Sequence, residues 1–121
     1  MNEEGPQDLK ERLRDYSLRV VRMYAALPKT TEAQVLGKQV LRSATSVGAN
    51  HREATRARSN AEFVAKLGDC LRELDETDYW LDLLVASGIV PAEKMASLLD
   101  ETNQLLAILT TIAKKSKDRP S

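Results

Sequence analysis

Residues 41–53, LRSATSVGANHRE, hold the densest set of side chains that could do chemistry: Ser43, Thr45, Ser46, Asn50, His51 and Glu53. His51 is the single histidine of the chain. A second imidazole to share a metal ion or relay a proton is therefore absent. Ser43 and Ser46 precede it on the same segment, but no nucleophile elbow or strand accompanies them. On an apolar stripe, His51 reads as a packed or interfacial residue whose partly buried imidazole titrates near neutrality. Asn50 stands at the end of a run of small residues, where a buried amide must be hydrogen-bonded, and Glu53 is one available partner.

Cys70 is the one cysteine, which excludes an internal disulfide framework and a cysteine-cluster metal site. It reads as a small apolar core residue. The acidic run Glu73, Asp75, Glu76, Asp78 and Asp82 invites a metal reading, because carboxylates three or four apart share a helix face. Di-metal bundles, however, use Glu-x-x-His on two helices with further carboxylates on the others. That signature is absent, so the run reads as a solvated or ion-paired face. With no glycine-rich phosphate loop either, the expectation is a protein without enzymatic activity, cofactor, metal or small-molecule substrate.

Cations are the remaining candidates. Arg42, Arg52, Arg56 and Arg58 lie on or just after one helical segment, and Lys114, Lys115 and Lys117 lie in the tail. Guanidinium and ammonium groups clustered this way can hold phosphate. The total charge is zero, but it is unevenly spread: residues 31–58 carry five basic and two acidic groups, residues 59–87 two and seven. The first set can pair with the second, within one bundle or between subunits, or remain free for a polyanion. A pI near 6.6 and the absence of interleaved aromatics oppose tight, non-specific nucleic-acid binding.

The elements that must position these groups are helices. Apolar content of 42% with only five aromatics and few Gly or Pro suits a helical bundle over a sandwich or barrel. Leu9, Leu13, Tyr16, Val20, Met23 and Leu27 form a heptad stripe. Asp8 can cap this first helix and Pro28 stops it. Thr31 to Gln34 is a candidate capping box for a second, whose stripe is Leu36, Val40, Ala44, Val47, His51 and Ala54. Ser59-Asn-Ala-Glu62 is a stronger box, placing a break near Arg58. The third stripe is Phe63, Leu67, Cys70, Leu74, Thr77, Leu81 and Leu84, ended by Gly88 at C′. Pro91 suits the first turn of a fourth helix with the stripe Met95, Leu98, Thr102, Leu105, Leu109 and Ile112.

Short connections make neighbours antiparallel, so the expected fold is an all-α, up-down-up-down four-helix bundle. It forms one domain over residues 1–121, with 1–7 and 116–121 as flexible tails. No apolar run is long enough to span a bilayer, and MNEEGPQD is not a signal peptide, so a cytoplasmic protein is expected.

Within the second helix, Ala44 and Gly48 are four apart, as are Thr45 and Ala49. Small side chains let a neighbouring helix approach closely, and the dispersion gained offsets their poor helix propensity. Tyr79 and Trp80 lie beside the third seam among acidic residues, as aromatics at protein interfaces do. Ala44, Gly48, Asn50, His51, Tyr79 and Trp80 are the candidate contacts of an oligomer.

The order VLRSATSVGANHREATRARSNAEF followed by LGDCLRELDETDYWLDLLVASG resembles the four-helix-bundle family encoded by intervening sequences in bacterial 23S rRNA genes. Arg42, Ser43, Ser46, Asn50, Glu53, Ser59, Glu62, Phe63, Leu67, Leu71, Glu73, Glu76 and Leu81 stand where that pattern has them. The chain departs at His51 and Arg52, where the family has Ile-Ala, and at Ala54, where it has Gly. The resemblance implies homopentameric rings of bundles. It also implies kinship with the accessory protein of diversity-generating retroelements, in which a basic ring surface meets nucleic acid. Two functions follow as expectations: a non-enzymatic oligomeric scaffold or adaptor, and an RNA- or DNA-binding accessory protein acting through the basic residues above.

Overall fold

The computed structural model describes residues 6–119. Four helices fill it: α1 Pro6–Ala25, α2 Thr31–Ala54, α3 Asn60–Ala86 and α4 Ala92–Lys117. They pack in chain order as an antiparallel bundle, α2 against both α1 and α3, and α3 against α4. The bundle closes where α1 meets α4, largely through long side chains. Arg12 grips Glu101 with two hydrogen bonds, Nε to Oε2 at 2.7 Å and Nη2 to Oε1 at 2.9 Å, and Arg19 reaches Ser97 Oγ at 2.8 Å.

The apolar stripes supply the core. Leu13, Val20, Val40, Val47, Leu67, Leu74, Leu81, Leu84, Leu105 and Leu109 are all removed from solvent. Each such burial contributes roughly 1.5–3 kcal/mol relative to exposure. Two hydroxyl pairs cross the dry interior: Ser43 with Thr77 between α2 and α3 at 2.7 Å, and Tyr16 with Thr102 between α1 and α4 at 2.6 Å. Burial pushes the Tyr16 phenol up to about 12, so it stays a neutral donor.

The helix ends follow local chemistry. Ser59 Oγ accepts from Glu62 N at 3.1 Å, and the Glu62 carboxylate returns to the Arg58 N–H at 3.0 Å, closing the expected break. Gly88 takes φ +81°, and Ile89 N–H reaches back to Leu84 O at 3.1 Å, a left-handed C-cap only glycine adopts without strain. The second helix is capped one residue earlier than expected. Thr30 Oγ1 accepts from Ala33 N, while Gln34 binds Pro28 O and the Tyr24 hydroxyl. Pro91 is the N-cap of α4, not its first turn.

α1 begins at Pro6, so Asp8 stands inside the helix and not at its N-cap as expected; residues 1–5 of the expected N-terminal tail lie outside the described residues. At the other end the expected tail starts too early. Ser116 is buried in α4, and its carbonyl accepts from Asn60 Nδ2 at 2.7 Å.

Candidate nucleic-acid interface at one pole of the bundle

Antiparallel order brings the C-termini of α2 and α4 to the same pole as the starts of α1 and α3. The Asn60–Ser116 hydrogen bond ties the α2–α3 connection to the end of α4. Two basic groups sixty residues apart in sequence are thereby gathered at one end. Arg52 stands in the last turn of α2, and Arg56 and Arg58 in the connection; Lys114, Lys115 and Lys117 stand in the last turn of α4. All six are exposed, and none forms an ion pair among the described residues. Arg119, exposed just past α4, adds a seventh cation that the sequence reading passed over as tail.

The nearest carboxylate on α2 is occupied: Glu53 binds Lys66 Nζ at 2.7 Å. The expected Asn50–Glu53 pair is therefore not formed. Cations in a last helical turn also offset the partial negative charge of the helix end, worth about 0.3–1 kcal/mol each. That accounts for Arg52 and the three lysines in part, but not for Arg56 and Arg58, which lie beyond α2.

Arg42 does not belong to this pole. It sits mid-helix and binds Glu73 at 3.3 Å and Glu76 on α3. Glu76 also accepts from Trp80 Nε1 at 3.0 Å, which holds the indole within the protomer. Tyr79, packed edge-on against Trp80 with ring centroids 5.1 Å apart, is the exposed member of the pair.

The other oligomer candidates divide as well. Ala44 and His51 are buried inside the protomer and offer no surface to a second copy. Gly48 faces α1, where an added Cβ would meet Ser17 Oγ at 3.6 Å and the Leu13 carbonyl at 3.9 Å. Asn50 is half-buried. The small-residue run thus serves the protomer's own α1–α2–α3 seam.

No nucleophile is assembled. Ser43 points to Thr77, Ser46 Oγ donates to Arg42 O at 2.8 Å, and neither faces the imidazole. Cys70 lies against the Val47 carbonyl, and burial pushes its thiol up to about 12, far from a reactive thiolate. Among the described residues His51 Nδ1 is buried without a partner; desolvation, with Lys10 opposite, lowers its pKa below 6.5. Asp78 is raised by burial and by Asp75 and Asp82 beside it. Among the described residues no three His, Cys, Asp or Glu side chains converge as metal ligands, and no helix is long and apolar enough to cross a membrane.

A crystal structure of a protein of unknown function from the S23 ribosomal protein family of Bacteroides thetaiotaomicron VPI-5482 is similar to this chain. The two are 36% identical and superpose with a TM-score of 0.84, over 90% of this chain and 97% of that one. No curated protein matches. The family model described as 23S rRNA-intervening sequence protein matches residues 7–111, and the chain belongs to that family.

Proposed function

We propose that this protein is a non-enzymatic, homo-oligomeric bundle of the cytoplasm that serves as a scaffold for structured nucleic acid, which it holds by phosphate contacts at the basic pole. The observation that carries this reading is the convergence of Arg52, Arg56 and Arg58 with Lys114, Lys115 and Lys117, all exposed and without carboxylate partners among the described residues. Arginine forks and lysine point charges at a rigid helical end fit a phosphate backbone and carry no base readout. Each subunit supplies a modest patch. An oligomer that presents several copies converts weak contacts into useful avidity. The pentameric ring implied by the family resemblance is the arrangement we expect.

The test is a mobility shift with folded rRNA fragments at about 50 mM salt, where phosphate contacts are strongest. A shift that disappears with rising salt supports the proposal. No shift at that salt with the intact protein removes it.

A further inference from the structure

Two surfaces take no part in the basic pole. The first is a groove of about 560 Å³ at the opposite pole, between the C-terminal half of α1 and the start of α4. Met23, Leu27, Met95 and Leu98 contribute to its apolar floor, Arg19, Arg22 and Lys94 line it as well, and no carboxylate does. Arg22 and Lys94 are exposed and form no ion pair among the described residues. A phosphate backbone would leave such a floor unfilled. The groove asks for an apolar side chain flanked by negative charge.

The second surface has that composition. On α3, Asp75, Tyr79 and Asp82 are spaced i, i+4, i+7 on one exposed face. Tyr79 is one of three exposed large hydrophobic side chains among the described residues, and neither aspartate has an ion-pair partner there. The two surfaces also lie at similar heights along the bundle. Asn60 on α3 binds Ser116 on α4, and Ser97 on α4 binds Arg19 on α1. Because α3 and α4 run antiparallel, Tyr79 stands level with Ser97 and Arg19, and Asp82, about one turn further on, with Lys94 and Arg22.

From this match of charge, apolar content and height we infer that the α1–α4 groove receives the Asp75–Tyr79–Asp82 face of a second copy. Tyr79 sits on the methionine-bearing floor, and the two aspartates meet Arg22 and Lys94. Methionine is suited to such a floor because its flexible thioether adapts to an incoming ring. The contact is heterologous, joining different surfaces of the two copies. Since it needs little displacement along the bundle axis, it favours a closed ring over a filament. It rests on the self-association proposed above and names the surfaces that carry it.

Light scattering of four proteins tests it: the wild type, Arg22→Glu/Lys94→Glu, Asp75→Lys/Asp82→Lys, and the chain with all four changes. The expected result is an assembled wild type, each double variant at the 13.5 kDa monomer mass with unchanged helical content, and restored assembly in the charge-swapped chain. Mixing the two double variants should restore assembly with the two chains in 1:1 ratio, because the Asp-bearing face of one fits the basic groove of the other and the reversed face fits the reversed groove. A wild type that assembles while both double variants keep its mass overturns the groove contact and leaves self-association standing. A monomeric wild type overturns both.

Discussion

The Ser43 and Thr77 hydroxyls meet at 2.7 Å in the buried seam between α2 and α3. Thr77 also lies 2.8 Å from the Glu73 carbonyl, one turn back on its own helix. Its proton is therefore committed there, and Ser43 is the donor across the seam. Ser43→Ala leaves a buried acceptor unfilled, and Thr77→Val leaves Ser43 only the long 3.4 Å hydrogen bond to the Val40 carbonyl. Each should lose about 1–2 kcal/mol in chemical denaturation. The double variant should lose less than the sum, with a coupling on the order of 1 kcal/mol. Strictly additive losses would mean that the hydroxyls do not bond.

Two glycines of α2 should respond oppositely to the same substitution. A Cβ at Gly37 would lie 2.5 Å from Leu27 Cδ1 and 2.9 Å from Tyr24 Cδ1, so Gly37→Ala must displace core side chains. It should cost roughly 1–3 kcal/mol despite the better helix propensity of alanine. At Gly48 a Cβ finds ordinary contact distances. Gly48→Ala should therefore stabilise by about 0.5–1 kcal/mol, whereas Gly48→Leu drives a branched side chain into the α1 backbone and should destabilise. Thermal melting of the three variants distinguishes them.

His51 sets an acid limit on stability. Its folded pKa is lowered below 6.5 by desolvation, so the unfolded chain takes up a proton first as pH falls. Its contribution is complete above that value and is lost as pH drops through 6.5 towards the folded pKa. Denaturation midpoints measured from pH 7.5 down to about 5 should fall more steeply for the wild type than for His51→Gln. Parallel profiles would contradict the burial of a neutral imidazole.

Arg42 should be silent in nucleic-acid binding, because Glu73 and Glu76 hold it on the α2–α3 face. Arg42→Ala should leave RNA affinity within about twofold while lowering stability by less than about 1 kcal/mol, the range of a solvent-screened ion pair. A large loss of affinity would return Arg42 to the binding surface.

How far these features could be read in advance depended on their range in the chain. Local periodicity revealed the four stripes, the Ser59 box and the Gly88 cap, because each is written within a few residues. The α4 stripe drifted: a strict 3–4 spacing ended on Ile112, while Ala113 and Ser116 are the buried residues. A straight helix turns about 20° per heptad away from such a pattern, and α4 is 26 residues long. Adjacent Thr30 and Thr31 are chemically equivalent caps, and only backbone geometry chose the first. The small run at 43–50 announced a close helix contact but not whose helix would make it. The placing of Arg56 and Lys115 at the same pole, and the capture of Arg42 by α3, depend on how distant segments pack, which no local pattern contains.

The salt dependence of RNA affinity bears most directly on the basic pole. Fluorescence anisotropy with a folded rRNA hairpin would be measured for the wild type and for Arg52→Ala/Arg56→Ala/Lys114→Ala/Lys115→Ala, across a salt series. Each phosphate contact removed should take about 0.9 from the slope of log affinity against log salt. The account predicts weaker binding and a slope shallower by about 3–4 in the variant. Equal slopes and affinities for the two proteins would contradict it.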